Sequence, residues 1–263
     1  MTDPDLRFSG IRRLFGAAEM ERLQRAHVCV IGIGGVGSWA VEALARSGVG
    51  TLTLVDLDDV CVSNVNRQLH ALDGTVGRPK VEVMAERARL INPDGTVHAR
   101  VEFFTEANAA DFLATPFDCV IDAIDGPSLK AVLIAGCRAR GWPVVCSGGA
   151  GGRHDPTAVR VADLAFSSND RLLCQVRRVL RKYHGFPHGG EIPFGVDAVY
   201  SPEAPKFPQP DGSVCGVRDP DTEVQLDCEH GLGTATFVTG AFGFAAASLA
   251  VRKIAAGNGV SGV

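Results

Sequence analysis

The residues most able to do chemistry begin with Val28-Cys29-Val30-Ile31, running into Gly32-Ile33-Gly34-Gly35-Val36-Gly37. A strand ending in Gly-x-Gly-Gly-x-Gly presents backbone N–H groups at a helix N-terminus. Without Cβ atoms, a phosphate can approach them closely. An acid-rich turn follows the next apolar run, with Asp56 and Asp58 as its candidate ligand groups. Asp56 lies nineteen residues after Gly37, a spacing at which a carboxylate accepts ribose hydroxyls. These features admit either NAD or ATP, and glycine also serves tight turns.

The next span discriminates. Asn64, Arg67, Gln68 and Lys80 crowd together. Cations and amide donors at that density suit a triphosphate, whereas nicotinamide needs a flat apolar slot with few charges. Asp122 and Asp125 follow at the end of a later strand, the edge that lines the crevice of a doubly wound sheet. A carboxylate facing phosphates repels them unless a divalent cation lies between, so Asp125 reads as a Mg²⁺ ligand. Plainer readings stand beside these. Asp122 can cap the turn before Ser128, Lys80 can be a solvated helix residue, and Arg67 can sit in a surface ion pair. The combination favours ATP and Mg²⁺.

These residues need a frame. His27 to Ile31 reads as a buried strand and Gly35 to Ser47 as the helix after it. Thr51 to Val55 is a second strand, and Arg78 to Ile91 is a helix stopped at Asn92-Pro93. Val97 to Phe103, Asp118 to Asp122 and Val144 to Ser147 read as strands, with a helix over Ser128 to Arg140. Alternating strands and helices predict a Rossmann-like, doubly wound α/β fold: a mostly parallel sheet with helices on both faces and a C-terminal loop-rich extension. Gly148 to Gly152 reads as a hinge or a close backbone approach to a ligand. Ala158 to Ala162 suits an edge strand, Asp170 to Tyr183 a basic amphipathic helix, and the Pro- and Gly-rich stretch His184 to Gly216 a long loop. The chain thus divides into an ATP-binding core at 1–163, a basic helix with a substrate loop at 164–230, and a buried C-terminal helix of the core at 231–263.

Composition bounds the rest. The 263 residues are 46% hydrophobic and 21% charged, enough for a large core. A net charge of -4 gives no global pull toward nucleic acid, so an RNA contact must be local. From Asp170 to Gly190, Arg171, Arg177, Arg178, Arg181 and Lys182 outnumber one acid. Tyr183 and Phe186 are candidates to stack on exposed bases. A solvated helix face is the alternative. None of the eight cysteines forms a Cys-x-x-Cys pair, and Met1 to Asp5 lacks the apolar stretch of a signal peptide, so a reducing cytoplasm is expected. Gly231 to Val251 carries no charge and is long enough to span a bilayer, but its glycines, threonines and alanines suit a closely packed buried helix.

The pattern Gly32-x-Gly34-Gly35-x-Gly37, Asp56, Ser63-Asn64-x-x-Arg67-Gln68, Gly77-x-Pro79-Lys80 and Asp125 resembles the ubiquitin-activating E1-like superfamily. Ser147 to Gly152, Asp155-Pro156-Thr157, Gly195-Val196-Asp197, Ser201-x-Glu203 and Asp211-Gly212-x-Val214-Cys215-Gly216 extend the likeness to the bacterial tRNA threonylcarbamoyladenosine dehydratases. The resemblance implies ATP-dependent activation of a carboxylate on a tRNA adenosine. Asp56 would hold the ribose; Asn64, Arg67, Gln68 and Lys80 the phosphates; Asp125 the Mg²⁺. It also implies a homodimer, in which Arg13 crosses to the partner's triphosphate, and admits a sulfur-relay protein partner. An E1 thioester would fall to Cys215 or Cys228, though ring closure within the substrate needs no protein nucleophile. The alternative within the superfamily is an adenylyltransferase for a ubiquitin-like sulfur carrier. The missing Cys-x-x-Cys pairs weigh against it.

Overall fold

The computed structural model describes residues 4–209, 211–216 and 232–257. Five strands come first: β1 (His27–Ile31), β2 (Thr51–Val55), β3 (Thr96–Arg100), β4 (Cys119–Asp122) and β5 (Val144–Ser147). They lie in the order β3-β2-β1-β4-β5, all parallel. The order reverses between β1 and β4, which opens a crevice at their carboxyl ends. β1 shows why the strands read as apolar runs: Val28 and Val30 enter one core, Cys29 and Ile31 the other.

Three short helices, α1 (Pro4–Arg7), α2 (Ser9–Phe15) and α3 (Ala17–Arg25), precede β1. With α3, the helices α4 (Gly37–Arg46), α5 (Lys80–Ile91) and α9 (Thr236–Ala256) cover one face of the sheet. The helices α6 (Ala109–Phe112), α7 (Pro127–Ala139) and α8 (Arg171–Tyr183) cover the other. Helix α8 starts where Asp170 caps it, its Oδ1 accepting the Leu173 N–H at 2.9 Å.

Two more strands complete the sheet. β6 (Arg160–Asp163) is the antiparallel edge, and β7 (Asp197–Tyr200) lies between it and β5, parallel to β5. Strand β7 corrects the expected loop over His184 to Gly216. Ala198 and Val199 are fully buried inside the sheet. A Gly-rich stretch precedes it, Asp197 opens it and Pro202 and Pro205 follow it, so composition hid the strand. A small hairpin of β8 (Phe207–Pro208) and β9 (Val214–Cys215) follows.

Helix α9 is long and apolar enough to cross a membrane by length and composition. In this fold it packs on α4, β4, β5 and β7, with Val238, Phe242, Ala246 and Ala250 wholly buried. Its Gly243 permits the approach to α4: a Cβ there would lie 2.5 Å from the Val36 carbonyl oxygen and 2.7 Å from Trp39 Cβ.

Candidate active site

The glycine loop between β1 and α4 is built by the chain's own crowding and by one open position. Gly32 takes φ +86, and a Cβ there would lie 2.7 Å from the Ala123 carbonyl oxygen. At Gly37 a Cβ would meet the Gly32 carbonyl oxygen at 1.8 Å, and at Gly35 it would press on Thr239 Cγ2 at 3.1 Å. Backbone crowding therefore requires Gly32 and Gly37, and Gly35 is tight against a side chain. Gly34 differs: its nearest neighbour would be Gln68 Nε2 at 3.9 Å. There the fold itself leaves room for a side chain, and none is present. Of the first N–H groups of α4, Ser38 donates to the Gly34 carbonyl and Ala40 to the Val36 carbonyl, both at 3.1 Å, and the helix dipole adds positive potential at this end.

Asp56 closes the turn after β2 and is nearly buried. Its Oδ2 accepts the Ile33 N–H at 2.6 Å, and its Oδ1 accepts the Asp58 N–H at 2.9 Å. Burial raises its pKa, against the pull of Lys80 and the two N–H bonds. Each oxygen keeps a lone pair for a hydroxyl donor. Lys80, first residue of α5, is buried, with Nζ 2.7 Å from Asp58 Oδ2. It is not a solvated helix residue. The acidic turn, the glycine loop and a lysine ammonium thus meet at the carboxyl end of β2.

The segment after the acidic turn forms the opposite wall. Asn64 is buried and its Oδ1 accepts the Cys61 N–H at 3.0 Å. Gln68 is buried beside Gly34, and its Oε1 has no partner among the described residues. The Arg67 carbonyl accepts from Trp39 Nε1 at 3.2 Å and Thr239 Oγ1 at 3.1 Å, pinning this residue to α4 and α9. Its Nη1 donates to the Ser63 carbonyl at 2.6 Å and Asn66 Oδ1 at 3.0 Å. Both acceptors are neutral, so the surface ion pair is replaced by a guanidinium whose charge remains available to an anion.

Three charged residues stand differently from what their sequence positions suggest. Asp122 is wholly buried and pairs with Lys130, Oδ1 to Nζ 3.0 Å, while also accepting the Ile124 N–H at 3.1 Å. It lies under the crevice rather than in it. Burial raises its pKa, and Lys130 opposes the rise. Arg177 and Arg181, expected on an RNA-binding face, are half-buried. Arg177 donates to Ser167 Oγ. Arg181 donates to the Pro187 carbonyl at 3.1 Å and lies over the Phe194 ring at 5.2 Å. Phe186 packs edge-on against Phe194, centroids 5.0 Å apart, so it is no free stacking platform. Arg178, Lys182 and Tyr183 remain exposed on α8.

The remaining positions divide. Asp125 is exposed on the loop between β4 and α7, whose Ala123 lies against Gly32. Among the described residues no cluster of three or more His, Cys, Asp or Glu side chains could hold a metal alone. One carboxylate with phosphate oxygens suffices for Mg²⁺, and Asp125 fits that role. Arg13 is exposed on α2 and takes no part in the contacts that join the cluster. Gly148 to Gly152 is a packing junction: Gly152 N–H donates to the Gly233 carbonyl at 2.7 Å, and a Cβ on Gly148 would lie 2.2 Å from Asp170 Oδ2. Cys215 sits half-buried on β9, and Cys228 lies outside the described residues.

Two supporting residues escaped the sequence reading. Lys130 is wholly buried and gives its ammonium to Asp122 Oδ1 and to the carbonyls of Asp122 and Ile124, at 3.2 and 2.9 Å. His70 is buried beneath the glycine loop, its Nε2 2.7 Å from the Ile33 carbonyl. A lone lysine in an apolar helix and a lone histidine carry no spacing signal, though both stand close in sequence to recognised site residues.

The ThiF family model matches residues 9–258. A tRNA threonylcarbamoyladenosine dehydratase from Haemophilus influenzae is 48% identical over 94% of this chain and 93% of its own length. The crystal structure of E. coli tRNA N6-threonylcarbamoyladenosine dehydratase in complex with ATP is 45% identical, covers 96% of this chain and 95% of that one, and superposes with a TM-score of 0.85. A molybdopterin-synthase adenylyltransferase from Salmonella typhimurium is 40% identical, but over 51% of this chain and 54% of its own length.

Proposed function

Because the chain belongs to the ThiF family, we propose that it uses ATP to dehydrate and cyclise N6-threonylcarbamoyladenosine in tRNA. The carrying observation is the reach of the likeness. It extends through β7 and α8, whereas the likeness to the molybdopterin-synthase adenylyltransferase covers only about half of the chain.

The residues support a two-step reaction. An oxygen of the threonyl carboxylate attacks the α-phosphorus of ATP, the bond to the bridging oxygen breaks, and pyrophosphate leaves. A nitrogen or oxygen of the same substituent then attacks the acyl carbon, the acyl–phosphate bond breaks, and AMP leaves. Water is lost in sum, with its oxygen retained in AMP. Asp56 accepts the ribose hydroxyls. Gly34 and the first N–H groups of α4 receive phosphate oxygens, and Arg67, Gln68 and Asn64 line the facing wall. Lys80 exchanges its bond to Asp58 for a phosphate oxygen. When bound, Mg²⁺ held by Asp125 offsets charge on the phosphates. No protein nucleophile enters this sequence, and a sulfur-relay partner contributes no atom to it.

The tRNA rests on the exposed face of α8, where Arg171, Arg178 and Lys182 meet its backbone and Tyr183 meets a base. The enzyme acts in the cytoplasm as a homodimer, with Arg13 reaching the partner's site. Incubation with ATP, Mg²⁺ and tRNA, with or without the modified adenosine, tests the reaction. Pyrophosphate release should require the modified tRNA and fall at least about a hundredfold in Arg67→Ala. Release driven by a sulfur-carrier protein instead would replace the reading.

A further inference from the structure

We propose that His70 is a positioning residue for the nucleotide loop, acting through the Ile33 peptide without touching the ligand. The inference rests on the ATP reading above. Ile33 is held from both ends. Its N–H donates to Asp56 Oδ2 at 2.6 Å, and its carbonyl lies 2.7 Å from His70 Nε2. A carbonyl only accepts, so Nε2 carries the proton and Nδ1 does not. Nδ1 is buried and has no partner among the described residues. A second proton there would be a buried donor with no acceptor, close to the Lys80 ammonium, so the ring stays neutral. Burial fixes the imidazole further, since His70 is 1% exposed and the Ile33 side chain is wholly enclosed.

The geometric consequence falls on Gly34. The Ile33 carbonyl and the Gly34 N–H belong to one planar peptide unit, so fixing the oxygen fixes the N–H vector that follows. Gly34 is also the one glycine of the motif with open space where its side chain would be. Asp56 alone would leave this peptide free to rotate about ψ of Ile33. His70 removes that freedom before ligand arrives, which lowers the ordering cost of binding. Because His70 follows Gln68 by two residues, the segment that supplies the facing wall also orients the loop opposite.

Three measurements test the assignment. In His70→Leu, deuterium exchange of the backbone amides over 32–37 should accelerate about tenfold or more, β1 and β2 should keep their wild-type rates, and the Kd for ATP should rise about tenfold. His70→Gln, which keeps a donor, should recover most of both effects. In the wild-type protein, imidazole ¹⁵N shifts should show a neutral ring protonated on Nε2 at pH 7. This reading stands even if the leucine variant does not fold. Three results would overturn the proposal: an ATP Kd in His70→Leu within about twofold of wild type, exchange that accelerates evenly across the sheet, or an Nδ1-protonated ring. Wild-type protein with no ATP affinity would bring down the nucleotide reading itself, separably from the exchange pattern.

Discussion

Lys130 spends all three of its N–H donors on Asp122 and Ile124, which makes it the brace of the loop that presents Asp125. Lys130→Met removes the ammonium and strands a buried carboxylate. Urea unfolding should show a loss of roughly 3–5 kcal/mol, and Lys130→Met with Asp122→Asn should recover part of it. His70 supplies a pH signature. Its folded pKa is lowered to about 4, by desolvation first and Lys80 as well, against an ordinary value of 6.5. Between those values the unfolded chain binds the extra proton, so stability falls as the pH drops through that window. The slope from this one site is at most roughly 1.4 kcal/mol per pH unit, and it should vanish in His70→Gln when unfolding free energies are measured from pH 7 to 4. At this scale sequence spacing exposed Asp56, Arg67, Gln68 and Lys80, because each lies in a short ordered run of polar residues. For Asp122 it left a turn cap and a ligand role open; the cap is present, and the buried partner Lys130 on the following helix leaves no pattern in the sequence.

Helix α8 divides its cations between two jobs. Arg177 and Arg181 tie the helix to Ser167 and to the segment around Pro187, whereas Arg178 and Lys182 are exposed. Arg178→Glu with Lys182→Glu should weaken tRNA binding, flatten its salt dependence by roughly one to two units of slope, and leave ATP affinity unchanged in a filter-binding assay. Arg177→Ala and Arg181→Ala should instead lower Tm and change tRNA affinity little. The basic composition of this helix was readable from sequence; the assignment of each arginine was not, because it depends on where Ser167 and the turn at 187–189 lie against the helix. Most elements were legible for a simpler reason. Strands β1 to β5 alternate with α4, α5 and α7, and the apolar runs of β1, β2, β4 and β5 between helical stretches declare the parallel sheet. Strand β7 is four residues long and inserts by pairing with distant neighbours, which nothing local announces.

The whole molecule carries its nucleotide crevice at one end of the sheet and Arg13 on a helix outside the cluster. If Arg13 serves the opposite subunit, inactive Arg13→Ala and Asp56→Ala proteins should complement when mixed and exchanged. A randomly mixed two-fold dimer would then regain about a quarter of wild-type turnover; no recovery would assign Arg13 to its own subunit's site. The order of assembly follows from β7. On a ribosome β1 to β5 emerge in sequence, and then β6 appears before the strand that must separate it from β5. Until residue 200 is free, the outer rim of β5 has exposed amides and carbonyls with no neighbour, the kind of edge at which nascent chains join one another. A newborn molecule therefore presents an adhesive flank, and productive maturation depends on how soon that flank is sealed.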